Sequence, residues 1–190
     1  MNKRYFLVTG LIILCLTLSA IVKAQANVDE KEGARIFVQK FYDYYTKLCI
    51  SDLQKNKSPI DSAVLYTVKH KSRYFADSLL TNLKEYGSVF LFDPFLASFE
   101  FKSNYQAGSV ILEGNNNNIF KVDVHCDSSR SKDAISNSPI AVIAEVTNVN
   151  NKWKFVNFIY PSPKHSNFLK KVVDYKIGLE EFKKNPKASE

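Results

Sequence analysis

Few side chains in this sequence of 190 residues could bind a metal or act as a nucleophile; it has three histidines and three cysteines. His70, His125 and His165 show no paired spacing, so the sequence predicts neither a metal site nor a cofactor. His125 directly precedes Cys126, a pair that could supply a nucleophile and its base. Adjacent strand residues point to opposite faces, however, so this pair cannot act together in a regular strand.

The N-terminal segment has the features of a secretory signal. Lys3 and Arg4 precede an apolar run over residues 6–18, and residues 24–26 (Ala-Gln-Ala) place small residues two apart. Lys23 ends the apolar stretch before the roughly 20 residues that a membrane-spanning helix needs. We therefore predict a signal peptide over residues 1–26, cleavage after Ala26, and secretion across the inner membrane to the periplasm or the medium. The mature chain would not be an integral membrane protein.

Two cysteines, Cys49 and Cys126, would remain after this cleavage, because Cys15 lies inside the predicted signal peptide. Disulfides form in oxidising compartments, and a bridge closing a loop of this size would stabilise the fold by about 4 kcal/mol. The sequence leaves two alternatives open, namely a Cys49–Cys126 disulfide and two separately buried thiols.

The chain carries a formal net charge of +7. Removing residues 1–26 would lower this to +4, because three cations and no acidic residue leave. Outside the inner membrane, such an excess meets anionic polymers or acidic proteins before it meets nucleic acid. We interpret the basic and aromatic residues 69–74 as a solvated helix face and expect no nucleic-acid partner.

Apolar residues at three- and four-residue spacing predict helices at both ends of the remaining chain. The first helix covers residues 29–50, a polar loop covers 51–62, and a second helical region covers 62–86 with a pattern that permits a break near 70–72. After Pro163, five apolar residues fall on one face of a third helix, which we expect to cover the outer face of a sheet. They are Phe168, Val172, Tyr175, Leu179 and Phe182.

Between these helices the apolar period changes to two, which predicts strands. A strand follows the turn at Asp93-Pro94, a hairpin joins residues 110–113 and 119–126, and further strands cover 140–147 and 151–160. The last strand is apolar on both faces. Trp153, Phe155 and Ile159 share one face, and Val156, Phe158 and Tyr160 share the other.

The order of elements is helix, helix, antiparallel sheet of four to six strands, helix. This order predicts an α+β fold in which a curved antiparallel sheet packs on the N-terminal helices. We divide the chain into the signal peptide (1–26), one α+β domain (27–163) and a C-terminal helical extension (164–190).

Three features of the sequence resemble those of a family of secreted bacterial proteins that is known only by a domain of unknown function. They are the 37–48 helix, the turn at 93–95, and the segment AVIAEVTNVNNKWKFVNFIYPS at 141–162. That family is similar to the nuclear-transport-factor-like, cystatin-like cone fold, in which an antiparallel sheet curls around helices and leaves a pocket. The resemblance implies a cone over about residues 29–162, and it supplies no catalytic residues.

Enzymes of this broader superfamily place an acidic general base inside an apolar pocket, where a carboxylate has a raised pKa. The resemblance makes Asp93 and Asp123 the candidates for this role. Asp93 precedes proline at a turn, where aspartate is favoured for local hydrogen bonding. Asp123 shares the polar side of its strand with Lys121 and His125. We therefore expect structural roles for both and predict no catalytic residue.

Aromatic residues could line a pocket for an apolar ligand, although such residues more often form a core. The candidates are Phe37, Phe41, Tyr44, Tyr45, Tyr74, Phe75 and Trp153. We hypothesise a non-catalytic exported binding domain, monomeric or homodimeric, whose partner is a small apolar ligand or an envelope protein. The alternatives are an immunity or inhibitor protein that uses the polar stretch 127–138, and an isomerase- or hydratase-like enzyme.

Overall fold

The computed structural model describes residues 3–55, 59–87, 93–97, 102–113, 118–127, 139–161 and 166–184. In these segments the chain forms helices α1 (Lys3–Gln54), α2 (Pro59–His70), α3 (Asp77–Tyr86) and α4 (Phe168–Lys184), with a short 3-10 helix at Ser72–Tyr74. The strands are β1 (Asn104–Glu113), β2 (Ile119–Asp127), β3 (Ile140–Val149), β4 (Lys152–Tyr160) and β5 (Ser166–Asn167).

The strands lie in the sheet in chain order, and each pairs antiparallel with the next. Along β2 and β3 every second side chain is buried, which defines a face that packs on the helices. A two-residue turn at Asn150 and Asn151, with φ of 53° and 59°, joins β3 to β4. The curved antiparallel sheet between N-terminal helices and a final helix confirms the α+β prediction.

Helix α1 extends beyond both ends of the predicted 29–50 segment and continues without a break past residue 26. Val28, Asp29 and Glu30 are exposed, and the buried face of α1 begins at Ala34. The part of α1 that packs into the domain therefore starts a few residues after the expected cleavage position. In the described part of the chain, no helix combines the length and the apolar character that crossing a bilayer requires.

The connection between the first two helices is shorter than the predicted 51–62 loop. Helix α1 continues to Gln54, and α2 begins at Pro59, a residue type that is favoured in the first helical turn. The permitted break near residues 70–72 is present, because α2 ends at His70 and the 3-10 helix begins at Ser72.

A β-bulge in β4 explains why both parities of this strand are apolar. Val146 pairs with Phe155 and Glu145 pairs with Asn157, so Val156 is the extra residue. The bulge reverses the alternation, and Phe158 and Tyr160 therefore join Phe155 on the buried, helix-facing side. This corrects the prediction that Phe158 and Tyr160 lie on the face opposite Phe155.

Helix α4 contacts mainly α3, β4 and β5 and does not cover the broad outer face of the sheet. Phe168 and Val172 are buried, whereas Tyr175 and Leu179 are 36% and 38% exposed. The side chain of Phe182 lies outside the described part of the chain. The expectation that this helix seals the outer face is therefore corrected: short strand β5 pairs with the edge of β4, and the helix that follows it packs beside α3.

A side chain from α1 covers part of the unpaired edge of strand β1. The Gln39 amide donates to the carbonyl of Tyr105 at 3.2 Å, and its oxygen accepts from the N–H of Ala107 at 2.8 Å. The glutamine thus supplies the hydrogen bonds of a neighbouring strand at this end of β1. It also fixes the start of β1 against α1.

Candidate ligand site

Most of the aromatic residues that were predicted to line a pocket form the core instead. The rings of Phe41 and Phe155 lie 4.7 Å apart, and Phe41 also contacts Phe75 at 6.0 Å and Phe95 at 5.3 Å. We call the ring cluster the aromatic core; its members are Phe37, Phe41, Tyr74, Phe75, Phe95, Phe155 and Phe158. Because these rings pack against one another, the structure assigns them to the core rather than to a pocket.

The other candidates also pack against neighbouring groups of the protein. The Trp153 ring packs against Phe120 at 5.3 Å and lies over Gly33 of α1. The Tyr44 ring lies under the ammonium of Lys71 at 4.7 Å. Tyr45 is fully buried, and its hydroxyl group belongs to a polar cluster that centres on Asp93.

Residues 93–97 form a tight turn rather than the predicted strand, and we call them the clamped turn. The Asp93 carboxylate accepts from the N–H groups of Phe95 at 2.7 Å and Leu96 at 3.1 Å. The N–H of Ala97 donates to the Asp93 carbonyl at 2.9 Å. The predicted strand continued through Phe99 and Phe101, which lie outside the described residues.

Three tyrosine hydroxyl groups hold the clamped turn from outside. Tyr45 donates to the Asp93 carboxylate at 2.5 Å, Tyr42 donates to the Phe95 carbonyl at 2.7 Å, and Tyr160 donates to the Pro94 carbonyl at 3.0 Å. Tyr42 and Tyr45 come from α1, and Tyr160 comes from the end of β4. A helix and a strand that are distant in sequence therefore fix the same five residues.

Asp93 is 2% exposed, and this burial raises the pKa of its carboxyl group to about 6. The hydrogen bonds from Tyr45 and from the backbone of Phe95 and Leu96 oppose the rise in pKa. Burial also raises the pKa of Tyr45 well above its usual value, so this hydroxyl group remains a donor. The turn is thus built around a carboxylate that titrates close to neutral pH.

Ala97 ends the clamped turn with a φ of 53°, in the left-handed region that non-glycine residues rarely adopt. Such a conformation costs an alanine about 1 kcal/mol. The hydrogen bonds that Asp93 and the tyrosines make with the preceding residues keep Ala97 in place.

The outer side of the clamped turn forms one wall of a cavity of about 210 Å³. The start of β1, the end of β2 and the start of β3 form the other walls. The Tyr105 hydroxyl group and the Cys126 thiol interact by a hydrogen bond at this end of the sheet, and burial raises the pKa of Tyr105. The described lining residues are Leu96, Ala97, Lys102, Tyr105, Cys126, Pro139, Ile140 and Ala141.

The Cys49–Cys126 disulfide, one of the two alternatives that the sequence left open, is not formed in the structure. Both cysteines are buried thiols without a disulfide bond. Cys49 lies one helical turn after Tyr45 and interacts with its hydroxyl group, and burial raises the pKa of this thiol to about 12. Cys126 instead interacts with Tyr105 beside the cavity. The alternative of two separately buried thiols therefore describes the structure.

Asp123, the second carboxylate candidate, lies on the outer face of the sheet and accepts from the Ser109 hydroxyl group. His125 shares this face and packs over Gly108, where a β-carbon would come within 2.7 Å of its ring. Within the described residues, no group of three or more His, Cys, Asp or Glu side chains could hold a metal ion.

The sequence reasoning singled out Asp93 and Tyr45 but did not bring them together, and it did not consider Tyr42, Tyr105 or Tyr160 as site residues. One signal was available, because Tyr42, Tyr45 and Cys49 share one face of α1 and carry polar tips on an otherwise apolar stripe.

Comparisons of the chain with family models, with curated proteins and with solved structures found no match. The resemblance to a secreted family of unknown function therefore remains a prediction.

Proposed function

We propose that the protein is an exported, non-catalytic binding domain that takes a small, mostly apolar molecule into the cavity beside the clamped turn. The observation that carries this proposal is the cavity itself, in which apolar surface, including that of Leu96, Ala97 and Ile140, lies beside about as much polar surface, including that of Lys102, Tyr105 and Cys126. A concave apolar site with a few polar groups is the usual form of a small-molecule site.

The way in which the cavity wall is built also supports binding. The clamped turn is fixed by a buried carboxylate, three tyrosine hydroxyl groups and a strained alanine. Groups that lower stability in this manner tend to cluster where a protein binds or reacts. A rigid wall reduces the ordering that a ligand would otherwise have to impose, which favours binding.

The proposal of export rests on the basic, apolar and small-residue pattern of residues 1–26. It agrees with the exposure of Val28, Asp29 and Glu30, which leaves the cleavage position away from the packed part of α1. Mass spectrometry of the protein from the periplasmic fraction tests this proposal. We expect a chain that begins at Asn27, and a chain that retains residues 1–26 would contradict export by cleavage.

Binding can be tested with a neutral fluorinated aromatic probe, 4-fluorotoluene, by ¹⁹F NMR line broadening. We expect binding to the purified protein and loss of binding in Ile140→Trp, because the indole would fill the cavity. Ile143→Trp, on the outer face of the same strand, is the matched control and should bind like the original protein. Absence of binding to the original protein, or equal binding to both variants, would refute the cavity as the site.

An isomerase- or hydratase-like enzyme is the second candidate, and one observation favours it. The Asp93 carboxyl group has a pKa of about 6 and accepts a hydrogen bond from Tyr45, as an acid–base pair would require. Against this, Tyr45, Phe95 and Leu96 already donate hydrogen bonds to this carboxylate, and Asp93 is not among the described residues that line the cavity. If a substrate is found, Asp93→Asn should abolish its turnover, and turnover that persists in this variant would rule out Asp93 as the general base.

A further inference from the structure

We infer that the cavity selects small organic monoanions, with an apolar body of about one ring in the cavity and a carboxylate at the ammonium group of Lys102. This inference rests on the proposed binding function and adds the class of ligand. It depends on two features of the site, its size and its charge.

The size of the cavity limits the ligand. An engineered protein cavity of about 150 Å³ lined by apolar side chains binds benzene. At about 210 Å³, the present cavity has room for one such ring together with a small polar substituent. A steroid or a long acyl chain would not fit without a change in the walls.

The charge of the site favours an anion. Lys102 is the one charged side chain among the described lining residues, and it is absent from the ion pairs that the described residues make. The nearby Asp93 carboxylate accepts from Tyr45 and from the backbone of the clamped turn, and Asp93 is not among the described residues that line the cavity. The net positive charge of the chain acts in the same direction by attracting anions.

The other polar side chains that line the cavity, Tyr105 and Cys126, interact within the protein. Tyr105 and Cys126 interact with each other, and Tyr105 stacks on Tyr42 at 5.6 Å. Their polar atoms are therefore already engaged, and Lys102 is left as the group that distinguishes a charged ligand from a neutral one. The rest of the described lining comes from Leu96, Ala97, Pro139, Ile140 and Ala141.

The test compares two probes of equal size and different charge, 4-fluorobenzoate and 4-fluorobenzamide, by ¹⁹F NMR titration of the purified protein. An ion pair with an exposed lysine is worth about 0.2–1 kcal/mol, which corresponds to a preference of about 1.4- to 5-fold for the benzoate. We expect this preference at low salt and its decline at high salt. Lys102→Gln should remove the preference by weakening benzoate alone, and Lys102→Arg should retain it.

The outcomes separate this inference from the proposed function. If both probes bind equally and Lys102→Gln changes neither affinity, the cavity binds small molecules and the inference about anions is refuted. If neither these probes nor 4-fluorotoluene binds, the proposed function itself is refuted. If benzoate binds better but Ile140→Trp leaves its affinity unchanged, the anion binds elsewhere on the surface, which also overturns the inference.

Discussion

The aromatic core and the clamped turn lie next to each other but are stabilised in different ways. In the core, aromatic rings from α1, the 3-10 helix and β4 pack together, and their burial agrees with the apolar pattern of these elements. The clamped turn instead contains a buried carboxylate, an alanine with positive φ and a cavity on its outer side. Phe95 joins the two, because its ring lies in the core while Asp93 and Tyr42 bind its backbone.

This difference suggests a separation of roles, in which the aromatic core stabilises the fold and the clamped turn serves function. Apolar packing in the core stabilises the chain and requires only that the rings fit. The clamped turn lowers stability through the buried charge of Asp93 and the strain at Ala97, and Ala97 itself lines the cavity. Proteins retain residues that lower stability where those residues are needed for function. The comparison supports the proposal that the functional surface lies at the clamped turn, and four predictions test it.

The largest effect is expected for Phe41→Ala in the core. Phe41 is fully buried and its ring contacts three other phenylalanine rings, so truncation should lower the free energy of unfolding by about 3–5 kcal/mol. Leu96→Ala should lower it by about 2–3 kcal/mol, toward the lower end for a buried leucine, since Leu96 is 3% exposed and also lines the cavity. Urea unfolding measures both values.

Ile111→Ala serves as the control for this pair, because Ile111 is 60% exposed and its truncation should change stability by less than about 0.5 kcal/mol. Equal losses for Phe41→Ala and Leu96→Ala would show that the two regions do not differ in packing. The comparison on which this Discussion rests would then be wrong.

The second prediction concerns the pH dependence of stability. The pKa of Asp93 rises from 3.8 to about 6 on folding, so the folded state binds the proton more tightly than the unfolded chain. The associated stability is fully present below about pH 4 and is lost as the pH rises through 6. At about 1.4 kcal/mol per pKa unit, the loss approaches 3 kcal/mol at pH 7.

Asp93→Asn isolates this effect, because the amide is neutral at every pH and its oxygen can still accept from Phe95 and Leu96. Relative to the original protein, the variant should gain about 2.4 kcal/mol between pH 4 and pH 7 in urea unfolding. Asp123→Asn, on the outer face, is the matched control and should show no such gain. A constant difference between Asp93→Asn and the original protein would mean that Asp93 is not held in a low-dielectric site.

The third prediction concerns the tyrosines that hold the clamped turn. Tyr42→Phe and Tyr160→Phe each leave a buried backbone carbonyl without its tyrosine donor, which should cost about 1–3 kcal/mol. Tyr66→Phe is the control, since Tyr66 is 48% exposed and the loss of its hydroxyl group should have almost no effect. Both clamp variants should also weaken 4-fluorotoluene binding, and a loss of stability without any change in binding would separate the clamp from the cavity.

The sequence predicted the core better than the clamped turn for a physical reason. Helix α1, the β1–β2 hairpin and strands β3 and β4 follow from periodic apolar residues, and burial of such residues is a local and repeated signal. Apolar residues on both parities of β4 predicted two apolar faces, whereas the structure explains them by a bulge at Val156. The sequence pattern did not show the register shift that brings Phe158 to the same face of the sheet as Phe155.

The clamped turn depends on single contacts between distant segments, which leave no period in the sequence. Tyr42 and Phe95 are 53 residues apart, and Tyr160 and Pro94 are 66 residues apart. Asp93 before Pro94 reads as an ordinary turn, and nothing nearby shows that the carboxylate is buried. The alternating pattern of Phe95 and Ala97 even favoured a strand, although hydrogen bonds to Asp93 hold these residues in a turn.

The smallest expected effect tests the strain in the clamped turn. At Ala97 the φ of 53° costs alanine about 1 kcal/mol that glycine would not incur, while glycine loses about 0.5–1 kcal/mol through the greater freedom of the unfolded chain. Ala97→Gly should therefore change the free energy of unfolding by less than about 0.5 kcal/mol. Ala34→Gly, in the buried face of α1, should lower it by about 1 kcal/mol or more, because the helix offers no strain to relieve. If Ala97→Gly is as destabilising as Ala34→Gly, the turn is not strained, and the link between its conformation and the cavity loses its physical basis.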